Sequence, residues 1–322
     1  MKRFLCKFAL FAGLHLGAVA VGLAVYVQRF PPSESFYAAS LDKHHLLKTR
    51  PSPRMIFVGG SSIALGLDSA MVAQSFGFRP INMGLNMQVG LEFMLDEVAN
   101  SVRSGDMVIV APEYHGFQEQ YRSAPEYVAR LVECRPSLLV TLPFSTKKQL
   151  LDRGYLQHLG RVLRIVLPLE TEDITWDAFV NPYNHRRAFN ENGDVIAHHH
   201  VKGLRRAPSR FTLTSPELAE TAINHLNRFG EQCARRGARV FFSHPPYEKK
   251  YFELYRASIA RLETMLQAKL TLPMLETAED MTFDSEEIFD VEYHLNLPGK
   301  MRRSELVAAG LRKKLGGESR TK

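Results

Sequence analysis

Three short apolar runs, separated by stretches of helical periodicity, constrain the fold of this chain more than any other feature. Each run is five residues long, and they occupy residues 54–58 (RMIFV), 107–111 (MVIVA) and 239–243 (RVFFS). Continuous apolar runs of this length are typical of strands that are buried on both faces, as in parallel sheets. The alternation with helices therefore predicts an α/β domain of three layers, a parallel sheet with helices on both faces.

Other segments extend this pattern. Residues 80–83 and, more weakly, residues 273–275 predict further strands. Helices are predicted at residues 67–76, 89–103, 216–235, 249–269 and 297–315. The helix at 216–235 has the clearest start, because Ser215 suits the N-cap and Pro216 suits the first helical position. We expect the α/β domain to cover residues 54–315, followed by a basic tail at 316–322.

Residues 115–214 break the pattern. This stretch is rich in aromatic residues, histidine, arginine and proline, with helical fragments at 124–134 and 146–166. It is too long for a simple connection between strands. We expect an insertion that caps the sheet where its strands end, since open parallel sheets bind ligands at that edge. His185 and the run 198–200 lie in it, but adjacent side chains point apart, which disfavours a metal site.

The N-terminal region contains an uncharged apolar segment at residues 8–28. At about 1.5 Å of rise per residue, such a helix spans the roughly 30 Å hydrocarbon core of a bilayer. Basic residues precede it, so the positive-inside rule places the N-terminus in the cytoplasm and the rest across the membrane. We predict a single-pass membrane anchor at 1–29 and a stalk at 30–53. A cleaved signal peptide is the alternative.

The positive charge of the chain lies at its ends. Of the net charge of +7, residues 1–29 carry +4 and residues 300–322 carry +6, which leaves −3 for the 270 residues between. A nucleic-acid partner is not expected, because binding one requires a basic face on the folded domain. Cys134 and Cys233 are the cysteines that follow the predicted anchor, and they allow either one disulfide or two free thiols.

Two distant segments carry side chains suited to nucleophilic catalysis. Residues 57–68 (FVGGSSIALGLD) place two serines, Ser61 and Ser62, after a predicted buried strand and a glycine turn. Residues 290–299 (DVEYHLNLPG) contain Asp290 and His294. A serine hydroxyl is a weak nucleophile until a base takes its proton, which His294 can do while an upstream carboxylate orients the imidazole. The sequence alone does not decide between Ser61 and Ser62, although the strand–turn–helix geometry favours Ser62.

The pairing of GGSS after the first strand with D-x-x-x-H-L-N-x-x-G near the C-terminus resembles the SGNH (GDSL-like) hydrolase superfamily. The nearest resemblance is to its membrane-anchored, exported branch of polysaccharide O-acetylation and DltD-type proteins, over roughly residues 54–114 and 216–312. It implies an SGNH/flavodoxin-like fold, with Ser62 as nucleophile, His294 as general base and Asp290 as the orienting carboxylate. It also implies that the N–H groups of Ser62 and Gly84 bind the oxyanion, with no metal or cofactor.

The sequence departs from the family pattern in two blocks. The usual D-x-x-H spacing is D-x-x-x-H here, so Glu292 or Asp284 could serve in place of Asp290. The usual third block, G-x-N-D, is replaced by residues 111–114 (APEY). The family's oxyanion asparagine is therefore missing, and Asn86 is a candidate replacement.

Four residues that follow the third and fourth strands are candidates for substrate contact, because the same sheet edge carries Ser62. They are Tyr114, His115, His244 and Tyr247. The resemblance implies an acyltransferase or esterase that acts on O-acyl groups of a cell-surface polysaccharide, held in the bacterial inner (cytoplasmic) membrane with its main domain in the periplasm or outside the cell. A transferase would need a polytopic membrane partner to deliver the acyl group. The alternative is a catalytically inactive binding or scaffold component of a polysaccharide modification or export complex.

Overall fold

The computed structural model describes residues 2–29, 32–142, 147–148, 150 and 183–318. The chain divides into two compact units. The first comprises residues 1–38 and 125–187, and the second comprises residues 39–124 and 188–322. The second unit contains the sheet and every residue that the sequence singles out for catalysis, so the description of the site concerns this unit alone.

The helices and strands follow in chain order. The helices are α1 (Lys2–Arg29), α2 (Ala39–Thr49), α3 (Ser61–Gly66), α4 (Ser69–Gln74), α5 (Leu91–Ala99), α6 (Pro125–Cys134), α7 (Leu138–Thr141), α8 (Pro216–Arg235), α9 (Lys249–Leu254), α10 (Arg256–Lys269) and α11 (Leu297–Glu318). The strands are β1 (Arg54–Gly59), β2 (Arg79–Asn82), β3 (Met107–Ala111), β4 (Arg239–Phe242), β5 (Tyr247–Glu248) and β6 (Thr282–Phe283). Short 3-10 turns link several of these elements.

The first unit contains α1, α6 and α7. The helix predicted at 124–134 is confirmed as α6, whereas most of the fragment predicted at 146–166 lies outside the described residues. Within the described ranges, no helix combines the length and the hydropathy that crossing a bilayer requires. Several side chains of the anchor predicted at 8–28 lie outside the described part of the chain, and the anchor stays a prediction.

The main sheet consists of four parallel strands in the order β2–β1–β3–β4. Beyond β4, one parallel bridge between Phe242 and Met274 continues the sheet, so the weak strand predicted at 273–275 is reduced to a single pairing. The central strands β1 and β3 are buried along their whole length. The prediction of an α/β domain with a parallel sheet flanked by helices is therefore confirmed.

One face of the sheet packs against the C-terminal helix. Side chains of β1 and β3, such as Phe57 and Ile109, form a buried cluster with Val307 and Leu311 of α11. Residues that alternate with them along the strands, such as Val108, point to the opposite face and are also buried. Burial on both faces is the physical reason that the apolar runs are continuous.

The predicted stalk and insertion are both shorter than expected. Lys43 of α2 is buried, and its Nζ donates to the carbonyl oxygens of Asn82 at 2.7 Å and Gly193 at 2.6 Å, so residues 39–53 pack within the α/β unit. Residues 115–124 and 188–214 also belong to that unit. Asp194 fixes the second of these segments by accepting hydrogen bonds from the Ser69 hydroxyl and from the side-chain amide of Asn82.

The helix predictions are most accurate where the sequence contains a clear capping residue. α8 begins at Pro216 as predicted, and the Ser215 hydroxyl accepts a hydrogen bond from Leu218 N at 3.2 Å. The helix predicted at 249–269 is instead divided at Tyr255 into α9 and α10. Cys134 and Cys233 are free thiols.

A buried ion pair joins the starts of the two central strands. Neither Arg54 nor Asp106 has an exposed side chain, and the Arg54 guanidinium donates to both carboxylate oxygens of Asp106. Ser52 Oγ donates to the same carboxylate at 2.8 Å. Burial alone raises the pKa of Asp106, but the hydrogen bonds from Arg54, Arg103 and Ser52 outweigh it, so the pKa is lowered.

We expect Asp106→Ala to lower the free energy of unfolding by about 3–5 kcal/mol, because it leaves the Arg54 guanidinium buried without its counter-charge. Chemical denaturation at neutral pH measures this loss. The matched control is Asp96→Ala, which removes a 67% exposed carboxylate paired with His225 and should cost less than about 1 kcal/mol. Equal losses in the two variants would contradict the stabilising role of the pair.

Candidate active site

The end of β1 positions a serine at the carboxyl edge of the sheet. β1 ends at Gly59, Gly60 caps α3, and Ser61 is the first residue of that helix, with a partly exposed side chain. Both positions require glycine, because neighbouring atoms approach the backbone too closely for a side chain to fit. A Cβ atom at Gly59 would lie 2.5 Å from the carbonyl oxygen of Ala111, and one at Gly60 would lie 2.7 Å from Glu113 Oε1.

A tight turn at residues 289–294 supplies the base. Phe289 N donates to the carbonyl oxygen of His294 at 2.8 Å, and His294 N donates to that of Val291 at 3.0 Å. This turn brings Asp290 Oδ1 to 2.7 Å from His294 Nδ1. The other ring nitrogen, His294 Nε2, lies 2.8 Å from Ser61 Oγ. The three side chains thus form a continuous hydrogen-bonded chain of carboxylate, imidazole and hydroxyl.

The prediction that Ser62 faces the histidine is wrong, because Ser61 does. Ser62 is fully buried, and within the described residues its hydroxyl has no hydrogen-bond partner. Its carbonyl oxygen accepts from Arg303 Nη1 at 2.6 Å, which ties α3 to α11. Successive residues of a helix point about 100° apart, so only one of two adjacent serines can face His294.

Asp290 is the carboxylate that contacts His294, despite the lengthened spacing. The turn at 289–294 absorbs the extra residue. The two alternatives bond elsewhere: Glu292 Oε1 accepts from Ser209 N at 2.9 Å, and Asp284 caps the 3-10 turn that begins at Ser285. The side chain of Asp290 is only 2% exposed, compared with 12% for His294.

Three carboxylates set the charge state of the imidazole. Burial disfavours the charged form of His294 and lowers its pKa, but Asp290, Glu113 and Glu292 together outweigh burial, so the pKa of His294 is raised above its usual value. The contribution of Asp290 is the largest of the three and includes the direct hydrogen bond. A raised pKa makes the neutral imidazole a stronger base towards the Ser61 hydroxyl.

Glu113 is a residue of the site to which the sequence analysis gave no role. It is 6% exposed, and its Oε1 accepts from Ser62 N at 2.9 Å and from Ser61 Oγ at 3.3 Å. The signal in the sequence is its position: a charged residue directly after a buried strand lies at the carboxyl edge of the sheet. It stands where the resemblance implies the third block with its asparagine.

The predicted oxyanion donors are engaged within the protein. The N–H of Ser62 donates to Glu113, and Gly84 N donates to Asn82 Oδ1 at 2.8 Å. Asn86 Oδ1 accepts from Gln88 N at 2.9 Å and so caps the 3-10 turn Met87–Val89. A bound carbonyl oxygen would have to displace Glu113 or Asn82 to use either N–H group.

The four predicted substrate-contact residues are packed in the interior, and none presents a surface. Their exposed fractions are 1% for Tyr114, 3% for His115, 1% for His244 and 0% for Tyr247. Tyr114, His115 and Tyr247 pack around Tyr293, the neighbour of His294, with the Tyr247 and Tyr293 ring centroids 4.7 Å apart. They therefore support the turn at 289–294 from within.

His244 lies in a separate buried group, where its backbone N donates to Glu276 Oε1 at 2.7 Å. Like the aromatic residues around Tyr293, it follows a strand of the main sheet but points into the protein. The burial of these side chains does not support the predicted substrate contacts, because position along a strand does not fix the direction of a side chain beyond it.

The histidine run in the predicted insertion has structural partners. His198 Nε2 lies 3.1 Å from the carbonyl oxygen of Leu295, and His199 Nε2 lies 3.2 Å from Lys300 Nζ. In the described parts of the chain, no group of three or more histidine, cysteine or acidic side chains has the arrangement to hold a metal ion.

We expect Asp290→Asn to lower the pKa of His294, because the variant removes the largest favourable charge. A ¹H–¹³C titration of the imidazole measures this pKa. The raised pKa stabilises the fold fully below the unfolded value of about 6.5, and this contribution is lost as pH rises through the folded pKa. Asp290→Asn should thus destabilise the chain more at pH 5.5 than at pH 9, and an equal loss at both values would contradict the coupling.

Comparison with known protein families and curated proteins identifies no relative of this chain. No protein-family model matches the chain, and no curated protein is detectably similar to it. The resemblance to SGNH hydrolases therefore stays a resemblance, carried by the residues around Ser61 and His294. What the site can do follows from its geometry, in which a partly exposed serine hydroxyl contacts an imidazole held by a buried carboxylate.

Proposed function

We propose that this chain is an SGNH-like serine acyltransferase or esterase with Ser61 as the nucleophile. The observation that carries the proposal is the chain of hydrogen bonds from Asp290 through His294 to Ser61 Oγ, with distances of 2.7 and 2.8 Å. These are the roles of a Ser-His-Asp triad, which is recognised by geometry and not by sequence position. A parallel α/β sheet that presents the serine at its carboxyl edge adds support.

In the proposed acylation step, Ser61 Oγ forms a bond to the acyl carbon while its proton passes to His294 Nε2. The carbonyl π electrons move to the carbonyl oxygen, which becomes an oxyanion. Asp290 accepts a hydrogen bond from the Nδ1–H of His294 and stabilises the imidazolium. When the intermediate collapses, the bond to the leaving alcohol oxygen breaks, and that oxygen takes the proton from His294.

Deacylation runs the same steps with a second nucleophile. Water gives hydrolysis, and a hydroxyl of an acceptor gives acyl transfer, with His294 removing the proton in either case. Because only neutral imidazole accepts a proton, the rate should rise with pH through the pKa of His294. Because the pKa of His294 is raised, this rise should come at a higher pH than it would for a histidine of ordinary pKa.

The cellular setting belongs to the proposal as well. The uncharged segment 8–28 supports a single-pass anchor in a bacterial inner membrane, with the α/β domain exported. The resemblance to polysaccharide O-acetylation and DltD-type proteins favours O-acyl groups of a cell-surface polysaccharide as substrate. A transferase would act with a polytopic membrane partner that supplies the acyl group.

A specific observation favours a second candidate, an inactive scaffold or binding component of a polysaccharide modification complex. The N–H groups that should stabilise an oxyanion are held by Glu113 and Asn82. Loss of one such donor costs about 10²–10³ in rate in enzymes where it has been measured. The two candidates differ in one property, which is whether Ser61 reacts with an acylating reagent.

We expect the full-length chain to react with a fluorophosphonate at a single residue, seen as one adduct by intact mass. Ser61→Ala should abolish the adduct, and His294→Ala should slow it by about a thousandfold or more, because the base is lost. Ser62→Ala is the matched control: it removes a neighbouring hydroxyl that does not contact His294 and should keep the wild-type rate.

Three results would count against the proposal. An adduct that disappears in Ser62→Ala would reverse the assignment of the nucleophile. An adduct that forms equally fast in His294→Ala would show that His294 does not activate the serine. A folded wild-type chain that gives no adduct would favour the scaffold.

A further inference from the structure

The carboxylate of Glu113 lies between the nucleophile and a backbone donor. We infer that Glu113 occupies, in the substrate-free protein, the place that the carbonyl oxygen of an acyl ester takes, and that it must leave Ser62 N–H before Ser61 is acylated. The inference rests on the proposed function. It makes Glu113 a residue that touches the reacting atoms and limits access to them.

The geometry points to this role. A carbonyl oxygen under attack must lie near the nucleophile and within hydrogen-bond distance of N–H donors beside it. Glu113 Oε1 satisfies both conditions, since it lies 2.9 Å from Ser62 N and 3.3 Å from Ser61 Oγ. An acyl carbonyl oxygen and this carboxylate oxygen cannot share the same N–H and the same space.

The position of Glu113 is built into the fold. It follows β3 after Pro112, and its carboxylate fills space that Gly60 leaves open: a Cβ atom at Gly60 would lie 2.7 Å from Glu113 Oε1 and 2.8 Å from Met87 Cβ. At 6% exposure, the residue is held from several sides. An alanine at position 60 would clash with the carboxylate, so the observed position of Glu113 requires a glycine at position 60.

Charge makes the position unfavourable for an oxyanion. The negative charge of Glu113 interacts with the imidazole of His294 and with the buried guanidinium of Arg303. Asp290 and Glu292 add negative charge around the same imidazole. An oxyanion that forms beside a fixed carboxylate is repelled by it, so the carboxylate must swing away as the substrate binds.

Glu113 also competes with His294 for the single proton of the Ser61 hydroxyl. When His294 is protonated, its Nε2–H donates to Ser61 Oγ, and among the described contacts of the hydroxyl Glu113 is then the acceptor. When His294 is neutral, the hydroxyl can donate to Nε2 instead. Removal of Glu113 therefore leaves His294 Nε2 as the acceptor that contacts the hydroxyl in the described structure.

The test compares Glu113→Ala and Glu113→Gln with the wild type in the full-length chain. We expect Glu113→Ala to react with a fluorophosphonate about 10- to 100-fold faster, because Ser62 N–H becomes available to the incoming oxygen. Glu113→Gln keeps an acceptor but loses the charge, so its rate should lie between the two. Glu231→Gln makes the same change on an exposed position of α8 and should react as the wild type does.

Phenylboronic acid gives a second readout, because its tetrahedral adduct with a serine is an anion whose boron-bound oxygen takes the place of the oxyanion. Its dissociation constant should fall by a similar factor in Glu113→Ala, and Ser61→Ala in the same background should abolish binding. Thermal unfolding shows whether each variant is folded. If Glu113→Ala is not folded, the glutamine variant decides, and a faster reaction than wild type supports the inference.

The outcomes separate this inference from the proposed function. A wild-type chain that reacts at Ser61, with folded Glu113 variants that react at the same rate or more slowly, overturns the inference and leaves the function standing. An inert wild type with a reactive Glu113→Ala supports the inference but counts against the function, because Glu113 then blocks the serine in the natural chain. If neither the wild type nor any folded Glu113 variant reacts at Ser61, both the inference and the function are overturned.

Discussion

The parallel pairing of β1 with β3 is the constraint on which the rest of the site depends. The strands pair from Met55, opposite Met107, to Gly59 at the end of β1, opposite Ala111 at the end of β3. The residues that follow the two strands therefore meet at one edge, Ser61 from β1 and Glu113 from β3. Because both strands are buried on both faces, the edge is fixed by the core and not by surface contacts.

Other interactions act on this edge. Arg303 of α11 is fully buried and donates to the carbonyl oxygen of Ser62, so the helix that follows the turn at 289–294 is tied directly to α3. The turn itself places Asp290 and His294 side by side through backbone hydrogen bonds. Aromatic rings packed around Tyr293 support it from within. The serine and the histidine, far apart in sequence, are thereby held at hydrogen-bond distance.

The same arrangement both favours the activation of Ser61 and opposes the formation of an oxyanion beside it. A histidine among three carboxylates is a strong base, which suits the activation of Ser61. The carboxylates also make the surroundings negative, which opposes an oxyanion. Glu113 combines both effects, since it raises the basicity of His294 and holds the Ser62 N–H. Under the proposed function, reaction at Ser61 thus depends on how readily this one side chain moves.

The sequence by itself determined the four strands of the main sheet and most helix positions, and it favoured Asp290 as the partner of His294 while leaving Glu292 and Asp284 open. Local signals are sufficient for these features, because apolar runs, caps and a short turn depend on neighbouring residues. Only the tertiary structure decided that Ser61 and not Ser62 faces His294, that Glu113 enters the site, and that Tyr114 and Tyr247 point into the core. Each depends on the direction of a side chain relative to a distant element, and a rotation of about 100° per helical residue changes that direction completely.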